Sequence, residues 1–207
     1  MQAQEAHEPS FHDAKRETIV RHARRAFTTQ GYTGARIEPI ARDAGVSTAT
    51  IYALFDGKAE LFAAVIEDSA IEFDRLMRNV RTTSGSARER LTQFAVTYAA
   101  FMADPFIRSI FRLVMAERRR FNDVAEKFFD RGKQDFGKVL IDALRELIDQ
   151  GELDIGRPSW AAGQLMGMIE HPVFFMPLVM GDEVMPVRAV EQIANDAVET
   201  FLARYGV

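Results

Sequence analysis

The chain has 207 residues, 47% of them hydrophobic, a formal net charge of −4 and no cysteine. That length buries a real core, either in one helical body with a small appended module or in two modest domains. Disulfide frameworks and thiolate metal sites are excluded. The first residues, MQAQEAHEPSFHD, lack a basic n-region and an apolar h-region, and no stretch approaches the roughly 18 apolar residues of a membrane helix, so a soluble, cytoplasmic protein is expected. The charge is uneven: Phe11 to Lys58 holds eight Lys or Arg against five Asp or Glu, and the remainder carries the acid.

Helical periodicity runs almost from end to end, without an alternating strand or an internal repeat, so the class is all-α. Residues 1–10 are polar and aperiodic and are expected to be a disordered tail. Ile19, Ala23, Ala26, Phe27 and Gln30 then share one helix face, with Gly31 as C-cap. A short second helix holds Ile37, Ile40, Ala41 and Ala44 and closes at Gly45. A short third starts at the N-cap Ser47, turns Ile51, Leu54 and Phe55 inward and sets Thr48 and Tyr52 together on another face. Asp56-Gly57 breaks the chain before a long connector helix with Phe62, Ile66, Ser69, Phe73, Leu76, Met77 and Val80 inward.

Thr82 to Gly85 reads as a loop, and Ser86 with Glu89 forms the capping box of a helix bearing Leu91, Phe94, Tyr98, Phe101 and Met102. Asp104-Pro105 opens a helix with Ile107, Ile110 and Phe111, closed by Arg118, Arg119 and Arg120. Asn122 is expected to cap one long helix through Phe128, Phe136, Leu140 and Leu147 to Gly151. After a loop at 151–157, Pro158 starts a helix that Pro172 and Pro177 should kink or break, ending at Gly181. A final helix, starting near Pro186, aligns Val190, Ala194, Ala197, Val198, Phe201 and Tyr205.

Three short helices, the second and third joined by Ala44-Gly45-Val46, match the geometry by which a helix-turn-helix delivers a recognition helix into the DNA major groove. The pattern Gly31-Tyr32, then Ile40-Ala41-x-x-Ala44-Gly45-Val46-Ser47, then Tyr52-x-x-Phe55-x-x-Lys58-x-x-Leu61 strongly resembles the TetR/AcrR family of transcriptional regulators over about residues 15–65. The resemblance implies a helix-turn-helix DNA-binding domain at 11–57 and a helical effector-binding and dimerisation domain at 58–207. It also implies that Thr48 and Thr50 meet base edges or adjacent phosphates, that Tyr52 and Lys58 meet phosphates, and that Ser47 acts mainly as a cap. This chain departs from the pattern where a hydroxyl residue usually opens the second helix: Ala35-Arg36 stands there, with Thr33 and Arg36 as substitutes. Pro39 falls in that helix's first turn, and Ala49 stands where glycine is frequent. No Asn or Gln in the recognition helix can make a bidentate contact to adenine, which shifts discrimination towards methyl contacts and DNA shape.

The later helices are rich in Phe and Met, most of them core. The resemblance implies a site for a small hydrophobic effector among them, with Phe101, Phe111, Met115, Phe136 and Trp160 as candidates and His171 as a polar anchor. A homodimer through the last two long helices is expected, with Met166, Phe174, Val190, Ala194, Ala197 and Phe201 at its interface. An effector would weaken DNA binding through the fourth helix, as a repressor released from a palindromic operator requires. A helical protein-binding scaffold, or an activator without a small-molecule inducer, is the alternative. No Gly-x-Ser-x-Gly, phosphate-binding glycine loop or His-Glu-x-x-His is present, so neither an enzyme nor a cofactor or metal is expected.

Overall fold

A computed structural model describes residues 11–81, 84–184 and 186–207. The expected tail at 1–10, Thr82 and Thr83, and the side chains of Phe73, Leu76, Met77 and Val80 lie outside the described residues. Among those described, the structure is all-α, with no β element beyond one isolated bridge. The chain divides into two compact units, up to Asp68 and from Ser69 onward.

The first unit contains α1 (Phe11–Gly34), α2 (Ile37–Asp43), α3 (Thr48–Leu54) and the start of α4 (Lys58–Arg81). Ile19, Ala23 and Phe27 on α1 are fully buried, while Gln30, placed on the same face by spacing, is exposed. At Gly31 φ is +69°, a conformation open to glycine, and the regular helix breaks there. The break lets Tyr32 turn inward, its ring 5.9 Å from Phe27 and 5.2 Å from Phe62, which itself lies 5.5 Å from Phe27. Edge-on and offset contacts of this kind add to the area the rings bury.

Between α2 and α3, Gly45 adopts φ +68°, its N–H donates to Arg42 O (3.1 Å) and the Val46 N–H donates to Ala41 O (2.9 Å). These two bonds make a Schellman closure and satisfy carbonyls that the end of α2 would otherwise orphan.

The second unit contains α5 (Ala87–Met102), α6 (Pro105–Glu117), α7 (Asn122–Gly132), a π-helical stretch π1 (Lys133–Lys138), α8 (Val139–Asp149), α9 (Pro158–Glu170), a second stretch π2 (His171–Phe175), α10 (Met176–Met180) and α11 (Val190–Tyr205). Both bonds of the Ser86–Glu89 capping box form, and Asp104 Oδ1 accepts from the Phe106 N–H at 2.8 Å ahead of Pro105. Asn122 is not a cap: it is the first residue of α7, and its amide donates to Glu126 Oε1 at 2.8 Å. A cap needs an extended residue outside the helix, and Phe121 occupies that place. The expected long helix is interrupted by π1, and Pro172 sits in π2, so the segment from Pro158 continues through a widened turn to Gly181. The last helix starts at Val190 and not near Pro186.

α11 runs along α5 and also packs on α9, which in turn meets α5 and α8. The core they share includes Leu91, Phe94, Leu144, Leu165, Ile169, Val198 and Phe201, all almost fully buried. The loop before α9 is tied to the end of the chain: Asp154 N–H donates to Tyr205 O (2.8 Å) and Val207 N–H to Glu152 O (3.3 Å), flanking a Leu153–Gly206 bridge. The Glu152 carboxylate also accepts from the Ala87 N–H at 2.6 Å, which fixes the start of α5.

Candidate nucleic-acid interface

The Schellman turn hands the chain directly to Ser47, whose extended backbone and side-chain oxygen, 3.1 Å from the Thr50 N–H, start α3. The Ser47 and Thr50 hydroxyls also share a hydrogen bond of 2.9 Å. With Ile51 and Phe55 buried, α3 is anchored along one side. Its other side carries Ala49, Tyr52 and Ala53, all exposed, with Tyr52 at 58%, while Thr48 and Thr50 are half-buried. A large aromatic side chain left this open on a well-anchored helix suits contact with another molecule.

Lys58, at the start of α4, lies with its Nζ 4.6 Å from the centre of the Tyr32 ring and donates to Thr33 O at 3.4 Å. The structure therefore brings Lys58 and Thr33 together, one ammonium beside one exposed hydroxyl residue. Arg36 occupies the N-cap position of α2 with an exposed side chain, and no side chain caps that helix. Thr33 thus does not replace the missing cap: it stands too early in the chain for its hydroxyl to reach the first N–H groups of α2.

The candidate effector residues fall into separate groups. Phe101 and Phe136 are buried with ring centres 4.9 Å apart, and Phe136 also lies 5.1 Å from Tyr98, which stacks on Phe94 at 5.6 Å. Phe111 belongs to a second group, 5.1 Å from Phe128 and 4.9 Å from Phe174. Met115, Trp160 and His171 are exposed and join neither cluster; His171 contacts only the edge of Phe175, at 5.9 Å, among the ring contacts described. An open groove of about 390 Å³ between α9–π2 and α11 is lined by Met168, Pro172, Val187, Arg188, Ile193 and Thr200, and none of the six effector candidates borders it.

The residues expected at a dimer interface are mostly internal. Ala194, Ala197 and Phe201 are buried within the chain, on the helix that runs along α5, and Phe174 packs on Phe111; Val190 and Met166 are half-buried. The α11 stripe is therefore core, because α5 of the same chain already covers it. The exposed line on the preceding segment is a different one: Trp160, Gly163, Gly167, His171, Phe175 and Val179.

Two polar arrangements escaped the sequence reading. Arg108, fully buried, donates through Nε to Asp182 Oδ1 (2.7 Å) and through an Nη to Ala103 O (2.6 Å). Arg112, one turn on, bonds both Asp182 oxygens at 3.0 and 3.1 Å and the carbonyls of Pro177 (3.1 Å) and Leu178 (3.3 Å), satisfying the end of α10. The Arg112 and Arg108 guanidiniums hold the Asp182 carboxyl below the usual carboxylate range. The signal was two arginines four residues apart on an otherwise apolar helix. In the aromatic core, the buried Tyr98 hydroxyl donates to Glu170, and burial followed by that carboxylate's charge pushes the phenol well above its ordinary value.

No helix among the described residues is long and apolar enough to cross a membrane. Residues 19–65 match the family model of bacterial regulatory proteins of the tetR family, and residues 89–207 match that of the AefR-like transcriptional repressor C-terminal domain. The HTH-type transcriptional repressor NicS of Pseudomonas putida is 29% identical over 96 residues, a stretch that spans 46% of this chain and only 43% of that relative. A TetR-family transcriptional regulator from Mesorhizobium loti MAFF303099 superposes with a TM-score of 0.86 at 27% identity, covering 96% of this chain and all of that one (100%). The flavonoid-responsive regulator FrrA superposes at 0.72, also with 27% identity, over 93% of this chain and 97% of its own. These relatives are DNA-binding regulators and not enzymes, and the two matched models between them span the helix-turn-helix and the helical second unit: the chain belongs to the TetR family of transcriptional regulators, with an AefR-like C-terminal domain.

Proposed function

We propose that this regulator is a repressor that binds a roughly palindromic operator as a homodimer and leaves it when a small, largely apolar molecule enters the second unit. The observation that carries the reading is α3: a short helix fixed by a Schellman turn, a serine cap and two buried side chains, with its opposite face left open. In this reading α3 lies in the major groove, Thr48 meets base edges, and Thr33, Arg36, Tyr52 and Lys58 meet the phosphates on either side. Thr50 supports α3 through Ser47 instead of reaching a base.

The effector part rests on the two aromatic clusters of the second unit, and the flavonoid response printed for FrrA points to the same class of compound. α4 runs unbroken from Lys58 to Arg81 and so belongs to both units, which makes it the covalent path between effector and operator. A second copy of the chain fits the exposed line of α9 and π2. Gly163 and Gly167 carry no side chain and a Cβ at either would meet open space, so a partner helix can approach their backbone closely, with Trp160 and Phe175 flanking.

The test uses the full chain on a pool of random duplexes. Retention of a palindromic subset, released by a panel of flavones, is the expected result; a pool that is not retarded in a gel refutes the regulator. Sedimentation of Gly163→Glu checks the dimer separately. Replacing glycine in an exposed helix favours the fold by roughly 0.5–1 kcal/mol, so a halved mass reports on the interface, and an unchanged mass removes this face from it.

A further inference from the structure

The recognition helix carries no side chain able to identify a base by two hydrogen bonds. From Ser47 to Phe55 the residues are Ser, Thr, Ala, Thr, Ile, Tyr, Ala, Leu and Phe, whereas bidentate readout of guanine or adenine needs Arg, Lys, Asn or Gln. The Thr50 hydroxyl, which could make a single bond, is engaged with Ser47 at 2.9 Å. What α3 turns outward, besides the Tyr52 ring, is the methyl groups of Ala49 and Ala53, both exposed.

These alanines stand one helical turn apart. Four residues at a rise of about 1.5 Å put them about 6 Å apart along the helix, close to two base-pair steps of about 3.4 Å each. In the major groove, a methyl group complements one feature only, the C5-methyl of thymine. Facing cytosine it would displace water from the N4 amino group and offer no acceptor in return, an unpaid desolvation. The alanine pair is thus both an attraction to thymine and a penalty against cytosine.

We propose that Ala49 and Ala53 are specificity-determining residues that read thymine through its methyl group, at two positions about two base pairs apart in each half-site. The proposal rests on the DNA-binding reading above and adds what α3 recognises. Tyr52, between the two alanines in sequence, closes the same face and keeps water from the contacts it flanks.

The test selects duplexes with the full chain and measures their affinity by fluorescence anisotropy, then replaces each consensus thymine in turn by deoxyuridine. That change removes one methyl and leaves base pairing, backbone charge and every groove donor and acceptor in place. At two thymines per half-site the affinity should fall about four-fold each, the value of one buried methyl, with an unaltered salt slope because no phosphate contact is lost. Exchanging such a thymine for cytosine should weaken binding further, and 5-methylcytosine at that place should recover part of the loss. Ala53→Gly should make deoxyuridine silent at one of the two positions; because the deoxyuridine and 5-methylcytosine arms use the unaltered protein, a misfolded variant does not remove the test. Duplexes that all bind within two-fold of the parent after thymine replacement overturn the proposal alone. A chain that retains no duplex overturns the DNA-binding reading and the proposal with it.

Discussion

α3 is held in place by a turn and a cap, the run Ala44 to Ser47, whereas α11 is held by packing sixteen residues along α5. The first arrangement is made of specific parts: a glycine at φ +68°, a serine oxygen on the Thr50 N–H, two buried side chains. The second is made of area, to which Ala194, Ala197, Val198 and Phe201 contribute together. Small polar parts can be removed singly at modest cost. Packed area fails in larger steps, because each lost group also leaves a cavity.

The contrast can be broken at its heavy end first. Phe201→Ala should cost about 3–5 kcal/mol, read as a large drop in melting temperature. A variant that melts normally but sediments at half the mass would show that Phe201 faces a partner and not α5.

Asp182→Asn comes next. It strips the buried Arg108 of its counter-charge, and because Asp182 is itself 39% exposed on its side-chain surface the loss should be about 2 kcal/mol, below the range of a fully buried pair. Since the folded carboxyl is held low by Arg112 and Arg108, its contribution is present above the ordinary Asp range and is lost as pH falls through the lowered value. The wild type should therefore lose its advantage over the Asn variant only in acid, and an advantage that vanishes near neutrality would contradict the pairing.

At the light end, Ser47→Ala should cost about 1 kcal/mol while weakening DNA binding more than stability, because the same oxygen orders Thr50. Equal and small effects on both would reduce Ser47 to a surface residue. Lys58→Ala should leave the melting temperature nearly unchanged and lower the salt slope of operator binding by about one unit; an unchanged slope removes Lys58 from the phosphate contacts.

The same contrast governs what could be read in the sequence. Gly31, Gly45, Ser47, Ser86 with Glu89, and Asp104 with Pro105 were legible because each acts on its immediate neighbours, and the structure uses every one of them locally. The α11 stripe was legible as a face but not as to what covers it: period 3.6 groups Ala194, Ala197 and Phe201 whether the cover is α5 or a second chain. Trp160 and His171 were misplaced among the aromatic candidates for a related reason, since residue type records apolarity and not position. Asp182 lies more than seventy residues from Arg108 in the chain, and no local pattern announces a pair of that span. Asn122 failed as a cap by a single position, the scale on which caps are decided.

The stretch π1 alters the phase of everything after it. A π turn takes up one more residue than an α turn, so Lys133–Lys138 stores a residue that a regular helix would have no room for. Removing any one residue there would let the segment relax to ordinary α geometry and rotate α8 about its axis by about 100°. Leu140, Leu144 and Leu147, now buried, would swing out of the core together. A change of one residue in chain length at this point is thus equivalent to a three-residue change in composition on α8, and insertions or deletions between α7 and α8 are constrained by angle as much as by space.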